Sequence, residues 1–499
     1  MRVVRPVKLA DGSRSRLARL AITLACALAL VACGSSARPS ARPPPNPRNT
    51  AGPTPASGAA APTSTSGSAN TSETAKASAT ALPATTSAGD WPTYHGDPER
   101  TGFAADLPPA SGRLSAASIT LDGQVYASPI IVGQIVIVAT EQNTVYGLSP
   151  SGTTLWTTRL GAPTPRSALP CGNIDPLGVT GTPVFDAASR TVFLVASLGS
   201  AVRHDLIALD PLTGSVRWRR SVDLPGTDPR AMQQRGALAV LGGRVWVPFG
   251  GLAGDCGAYK GRVVGVPVDN GAPIAYTVPT TREGGIWAPP GPSVVGGRLL
   301  VAVGNGESVG SHYDFSDSVL ELDGDQLVDS FSPDTWASDN GADLDLGSQG
   351  PTVVQGRWIF IAGKSGVGYV LRLGALGGIG GEVSQVRLCA SFGGTAVVTD
   401  TVYVPCQDGV RALRVSATGE AIALWRASES VSGSPVVGGG RVYAMDVDSG
   451  VLHALDPATG ATREQVRVGP TTRFATPAIS GSKLFVPTMA GLSIVETAR

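Results

Sequence analysis

Tyr126-Ala-Ser-Pro-Ile-Ile-Val-Gly133, continued by Gln134–Thr140, Thr144-Val-Tyr-Gly-Leu-Ser149 and Gly152-Thr-Thr-Leu-Trp156, decides the fold. It holds four short apolar runs with period-two alternation, cut by Gly, Asn or Asp turns, which reads as four antiparallel strands. The block returns as Thr180-Gly-Thr-Pro-Val184, Thr191–Ala196, Leu206-Ile-Ala-Leu-Asp210 and Thr213-Gly-Ser-Val-Arg-Trp218. It returns again as Ser432-Gly-Ser-Pro-Val-Val-Gly438, Arg441-Val-Tyr-Ala444, Leu452-His-Ala-Leu-Asp456 and Thr459-Gly460. Weaker copies begin near Gly236, Pro292, Pro351 and Gly394, and a partial one runs from Ala475 to Pro487. A period of roughly 40–60 residues is one supersecondary unit per copy.

A lone four-stranded sheet that is apolar on both faces cannot bury them by itself. Stacking such sheets radially does so and leaves only short edges. The expected fold is therefore all-β: a single eight-bladed β-propeller of four-stranded blades spanning residues 90–499. The small residue and Pro that open each copy suit an inner strand near a crowded axis. The Thr-Gly turn joins the third strand to the outer one, where Trp156, Trp218 and Trp425 should pack between blades. The last copy lacks an outer strand, and Ser111–Leu121 is expected to supply it, so that an N-terminal strand closes the ring. The recurring Leu-Asp-x-x-Thr-Gly turn argues against a set of separate β-sandwiches.

Outside the repeats, residues 1–32 read as an export signal. Arg2, Arg5, Lys8, Arg14, Arg16 and Arg19 form a positive start, and Leu20–Ala32 is apolar but shorter than the ~20 residues a membrane span needs. Leu30-Val31-Ala32-Cys33-Gly34 resembles the lipobox of bacterial lipoproteins, which makes Cys33 the expected lipidation site. Residues 33–89 are almost entirely Ala, Pro, Ser, Thr, Gly and Asn. Too few apolar side chains are present to offset ordering entropy, so this stretch reads as a disordered tether. The expected location is the extracytoplasmic face of the cell membrane, held by lipid. Formal charge is +1 over the chain, much of the positive charge lies in the signal, and no Lys/Arg run follows it. Nucleic acid is thus not an expected partner.

Of six Cys, Cys26 leaves with the signal and Cys33 takes the lipid. Cys171, Cys256, Cys389 and Cys406 remain, an even number that favours two disulfides in an exported chain. Three pairings are open. Cys389–Cys406 is preferred because both lie near the open ends of one expected hairpin, and Cys171–Cys256 follows by elimination. The absence of a CxxC and the presence of only four His disfavour a metal centre built on these thiols.

The pattern Ala-Ser-Pro … Val-Tyr-Gly-Leu-Ser … Thr-Gly … Leu-Trp resembles the PQQ repeat, as does Asp90-Trp-Pro-Thr-Tyr-His-Gly-Asp97 with Thr101-Gly102. That repeat defines the quinoprotein alcohol dehydrogenases. It also occurs in non-enzymatic relatives such as the propeller lipoprotein of the outer-membrane barrel-assembly machinery. Gly284-Gly-Ile-Trp287 with Ala302-Val-Gly-Asn305 resembles the dehydrogenase stretch in which a Trp forms the floor under the cofactor and an Asn ligates the metal. Asp339-Asn-Gly-Ala-Asp343-Leu-Asp345 resembles the segment carrying the catalytic base and, in lanthanide-dependent members, an extra ligand. Ile361-Ala-Gly-Lys364 resembles the segment whose Arg or Lys contacts the quinone oxygens.

By this resemblance Trp287 and Lys364 would bind the cofactor, Asn305, Asp343 and Asp345 would hold a metal, and Asp343 would be the base. PQQ chemistry needs that combination of aromatic floor, Lewis acid and base. The sequence departs from it in three ways. Where the family has a metal-binding Glu, Gly254-Asp255-Cys256-Gly257 stands instead. No two Cys are adjacent, and no CxxCH occurs. A Ca²⁺ site takes six to eight oxygens, so the lost Glu matters. The favoured reading is a binding or scaffolding module with no cofactor. Its long loops at residues 250–261, 307–318 and 332–350 would meet an unknown protein or envelope ligand. The alternative is a PQQ- and Ca²⁺-dependent alcohol or sugar dehydrogenase with an atypical metal site. A glycan hydrolase would need two carboxylates at a set separation, which sequence alone does not reveal.

Overall fold

The computed structural model of the protein describes residues 89–497 apart from 111 and 311. The expected signal, Cys33 and all but the last residue of the tether lie outside the described residues. The chain forms eight four-stranded blades, as the repeat count predicts. Blade 1 comprises Ile130–Val132, Ile135–Ala139, Thr144–Leu148 and Thr154–Arg159 from the inner strand outward. The inner strands of blades 2 to 8 are Val184–Asp186, Ala239–Leu241, Ser293–Val295, Thr352–Val354, Ala396–Val398, Val436–Gly438 and Ala478–Ser480. The inner strand of blade 8 returns to contact that of blade 1. Ser115–Thr120 is the outer strand of blade 8, antiparallel to Gly491–Glu496 with Ser115 opposite Glu496. The ring is thus closed by strands from both ends of the fold.

Burial follows the radial logic. Ile135–Ala139 is buried at every position, whereas the outer Thr154–Arg159 alternates between exposed and half-buried. Apolar clusters fill the clefts between neighbouring blades. The outer tryptophans bolt these clefts. Trp156 Nε1 donates to Pro211 O of the next blade at 3.1 Å, and its ring lies against Gly214, where a Cβ would collide with it. Trp425 repeats the arrangement with Pro457 O at 2.9 Å and Gly460. Trp218 packs against Phe193 at 5.6 Å, in the cluster between blades 2 and 3.

The segment from Trp91 to Ala104 does more than lead into the ring. Trp91 exchanges backbone hydrogen bonds with Ile131 of blade 1, and Phe185 of blade 2 donates to Pro92 O. Val294 of blade 4, Val397 of blade 6 and Val437 of blade 7 donate to Pro98, Thr101 and Gly102 in turn. Phe103–Ala104 then adds a parallel strand to the inner edge of blade 7. Blades 2 and 6 stand opposite one another in an eight-membered ring, so this segment crosses the axis as a plug. At its centre Arg100 is fully buried and has a left-handed backbone, φ 64°. Its guanidinium donates to Leu238 O and Pro292 O, both at 2.9 Å, to Tyr94 O at 3.3 Å and to Thr93 Oγ1.

Both expected disulfides are present, Cys171–Cys256 and Cys389–Cys406. The first ties the long loop of blade 3 to the segment between blades 1 and 2. Among the described residues no helix is long and apolar enough to cross a membrane.

Candidate functional site

Repeat geometry delivers equivalent loops to one end of the ring. Tyr126, Thr180, Arg235, Pro289, Ser348, Phe392, Ser432 and Phe474 each stand four residues before an inner strand. They are repeat-equivalent and encircle the axis. Tyr126, Thr180, Arg235, Pro289 and Phe474 meet Tyr94 of the plug around a small void. Above it opens a cavity of about 430 Å³, whose walls include Arg235, Phe392 and Phe474 together with residues 251–255 of the long loop of blade 3 and Asp343 and Asp345 of the loop before blade 5.

Trp287, Asn305, Asp343, Asp345 and Lys364 all line this cavity, although they come from three successive stretches of chain. Their contacts are mutual. Asp345 Oδ1 accepts from Trp287 Nε1 at 3.3 Å and from the Asn305 backbone amide at 2.7 Å. Asn305 Nδ2 donates to Asp343 Oδ1 at 2.7 Å. Lys364 Nζ pairs with Asp343 at 2.6 Å and with Asp345 at 2.5 Å, and lies 5.8 Å over the Trp287 ring. Gly304 makes the cluster possible, because a Cβ there would collide with Asp345 Oδ1 and the Trp287 indole nitrogen. Asp343 is placed by its backbone: it caps the helix Trp336–Ala342 in the left-handed conformation, which Asp tolerates better than most residues.

The two carboxylates are pushed in opposite directions. Burial raises the Asp345 pKa, and the Lys364 charge only partly offsets it. For Asp343 burial is the largest single influence and raises the pKa, but the hydrogen bond and charge of Lys364, joined by hydrogen bonds with Asp345 and Asn305, together hold it below the usual carboxylate range. Burial works against the Lys364 ammonium, but Asp345 and Asp343 together raise its pKa.

This donor set fits a Ca²⁺–quinone centre poorly. Asn305 Oδ1 is buried without a partner, which a cation could use. The position a cation would take between Asp343 and Asp345, however, already holds the Lys364 ammonium. Asp255, which stands where the family has its Glu, lines the cavity but accepts a hydrogen bond from Tyr259 Oη. That leaves fewer oxygens than the six to eight Ca²⁺ takes. The chemistry these residues can perform by themselves is binding: an aromatic wall, fixed hydrogen-bonding groups and several charges around a cavity.

Sequence reading missed Arg235, Phe392, Arg473 and Phe474. Arg235 stacks on the Phe474 ring at 4.4 Å and Arg473 on Phe392 at 4.8 Å. The signal was available in principle. Three of the four share one position in the repeat, four residues before an inner strand, and aligning the copies on that strand would have placed them together.

Comparison with known proteins agrees with this architecture. A family model described as outer membrane protein assembly factor BamB matches residues 115–271 and 324–498. No curated protein matches by sequence. Among solved structures, the quinohemoprotein alcohol dehydrogenase from Comamonas testosteroni superposes with a TM-score of 0.64 at 17% identity, covering 82% of this chain and 81% of that one. A europium-containing methanol dehydrogenase gives 0.62 at 14% identity, covering 82% and 98%. BamB from Moraxella catarrhalis gives 0.53 at 19% identity, covering 77% and 99%. At such identities the structural likeness speaks for the fold alone. The family model spans more than half of the residues, in both halves of the ring, and the chain belongs to the PQQ-repeat propeller family of the outer membrane protein assembly factor BamB.

Proposed function

We propose that this protein is a lipid-anchored, extracytoplasmic binding or scaffolding propeller whose loop-face cavity holds a ligand or a group of a protein partner without dehydrogenase chemistry. One observation carries the reading: Lys364 Nζ sits on both Asp343 and Asp345, at 2.6 and 2.5 Å. The charge a divalent metal would neutralise is already matched from within the chain, and a metal would have to expel a hydrogen-bonded ammonium to enter. Membership in a family described by an assembly factor supports a protein partner on the propeller face. The lipobox-like sequence ending at Cys33 supports the anchor, and the Ala/Pro/Ser/Thr-rich stretch after it supports a tether.

The alternative, a PQQ-dependent alcohol or sugar dehydrogenase with an atypical metal site, draws on the unpartnered Asn305 Oδ1 beside Trp287. The test is to mix purified protein with PQQ and Ca²⁺, remove the excess, and assay dye reduction with ethanol and glucose. The expected result is no retained quinone spectrum and no dye reduction. Alcohol-dependent reduction that requires PQQ and disappears in Asp343→Asn would replace the binding reading with the enzymatic one. The anchor is tested separately: Cys33→Ala should move the protein from the membrane to the soluble fraction, and a variant that stays with the membrane would end the lipoprotein assignment.

A further inference from the structure

We infer that the ring carries a second binding site, an apolar slot in front of blade 3 that takes a proline-bearing basic peptide of a partner protein, with a prolyl carbonyl on the Val240 amide and a cationic side chain at Asp97 and Glu99. The slot lies at the end of the axis where short turns link each inner strand to the next. It shares no residue with the loop-face cavity and does not depend on how that cavity is read.

The plug serves the inner strands unevenly. Ile131, second in the inner strand of blade 1 and paired with Val136, exchanges both of its outward backbone bonds with Trp91. Its repeat equivalents Phe185, Val294, Val397 and Val437 donate to the carbonyls of Pro92, Pro98, Thr101 and Gly102. Val240 of blade 3 has the same pairing, with Val245. In an antiparallel ladder the same pairing turns its amide the same way, toward the axis. Among the described residues, however, no plug carbonyl accepts from Val240. The path of the chain is the reason. Between Pro92 and Pro98 the plug passes through the 3₁₀ turn Tyr94–Gly96, where Tyr94 meets Arg235 around the small void beneath the loop face, and blade 3 is left uncovered. What remains is a hollow of about 210 Å³, walled by Pro92, Pro98, Phe185, Ala239, Val240 and Val294. Val353 and Ile479 also receive no plug carbonyl, but both are buried, whereas Val240 is half-buried and Pro98 at the mouth is exposed.

The plug itself shows what fits such a position. On both sides of the hollow the acceptor is a prolyl carbonyl, from Pro92 on blade 2 and from Pro98 on blade 4. A proline supplies an acceptor and an apolar ring but no N–H, so it buries no unmatched donor against apolar walls. A third prolyl carbonyl on Val240 continues the same row, and main-chain capture at an open strand edge is a general mode of peptide recognition. The rim sets the charge. Asp97 lines the slot and accepts from Thr101, and Glu99 is exposed two residues on. Among the described residues neither carboxylate makes an ion pair, because the Arg100 guanidinium beside them is turned inward to Leu238 O and Pro292 O. Burial, and after it the charge of Asp97, push the Glu99 pKa up. A cation placed at this rim relieves the repulsion between the two carboxylates, and the charge match selects basic partners over acidic ones.

The experiment is calorimetric titration of the full chain at low salt with acetyl-Arg-Pro-Pro-Arg-amide, with amide exchange read by mass spectrometry. The peptide should bind at least tenfold more tightly than acetyl-Arg-Ala-Ala-Arg-amide and acetyl-Glu-Pro-Pro-Glu-amide, and should slow exchange across residues 239–241. Val240→Phe should weaken binding at least tenfold, because the larger side chain fills the slot; Phe185 holds the equivalent position in blade 2, so the ring accommodates it. Glu99→Gln should weaken binding about threefold at low salt and leave it unchanged near 0.5 M salt, where exposed charges are screened. Glu99 is exposed, so its variant reports on binding even if Val240→Phe proves unstable. The alanine peptide binding as tightly would overturn the prolyl assignment, and the acidic peptide binding as tightly would overturn the basic one. Unchanged affinity in Val240→Phe, or unchanged exchange at residues 239–241, would place the peptide elsewhere, and no binding at millimolar concentration would overturn the site. Self-association of the chain that the peptide abolishes would assign the slot to a second copy and overturn the partner.

Discussion

Arg100→Leu should cost roughly 3–5 kcal/mol of stability, the scale seen when one member of a buried polar network is removed. Arg100 is 1% exposed, in the middle of the plug, and its guanidinium donates to Leu238 O before blade 3 and to Pro292 O before blade 4. It also holds Tyr94 O and Thr93 Oγ1 within its own segment. Leucine fills part of the volume but supplies no donor, so these acceptors are left buried and unmatched at about 1–3 kcal/mol each before relaxation. The charge itself is strained: burial pushes the Arg100 pKa down to about 10, with Asp97 and Tyr94 giving partial relief. The arginine is retained because one flat fork reaches carbonyls from two blades and from the plug at once. Arg100→Lys keeps the charge but concentrates it on one atom, so an intermediate loss is expected. Amide exchange is the direct measurement. Protection should fall first at Trp91, Ile131 and Phe185, whose backbone bonds join the plug to blades 1 and 2. A loss below about 1 kcal/mol with unchanged protection there would show that the plug does not depend on this residue.

Glu141→Gln is expected to stabilise the protein, and by an amount that depends on pH. Glu141 is 1% exposed. Its Oε2 accepts from the Gly178 amide at 2.6 Å and from Thr180 Oγ1 at 3.2 Å, while Oε1 has no partner. Burial outweighs these bonds and the nearby Arg235, and pushes its pKa up from 4.5 to about 7. Below the unfolded value the carboxyl is protonated in both states and costs nothing. Between about 4.5 and 7 the folded protein holds a proton the unfolded chain has released, so stability falls as pH rises. Above 7 the penalty is complete, on the order of 3 kcal/mol at about 1.4 kcal/mol per unit. Glutamine keeps an acceptor for Gly178 and carries no charge. Urea unfolding should therefore find Glu141→Gln more stable than wild type by up to about 3 kcal/mol at pH 8, with the gain vanishing near pH 4. An equal difference at both pH values would mean that packing, and not ionisation, sets the effect.

The blades were legible in the sequence because their information is local. Each copy carries its own alternation, its Pro-bearing first strand and its Thr-Gly turn, so strand order and blade count follow from reading one period and repeating it. The closing strand was legible for the same reason: the last copy lacked an outer strand and Ser115–Thr120 was at hand. The disulfides followed from cysteine number and hairpin position. Resemblance to a known motif brought out Trp287, Asn305, Asp343, Asp345 and Lys364, and the ring does bring these side chains to one cavity.

The plug and the arginine wall belong to the tertiary structure alone. Nothing within Trp91–Ala104 says that its carbonyls will accept from Phe185, Val294, Val397 and Val437, because those partners are set by closure of the ring. Arg235 and Arg473 are more than two hundred residues apart and read as ordinary surface charges. They come to one cavity only when blade 8 returns to blade 1 and the loops before blades 3 and 8 face the same axis. Whether the acidic pair at Asp343 and Asp345 is a cation site or a salt bridge was likewise beyond the sequence. It depends on where the Lys364 ammonium comes to rest, and that is fixed by the stacking of one blade on the next. Period and alternation specify the blades; charge pairing between neighbouring loops is a property of distances, and those exist only in the closed ring.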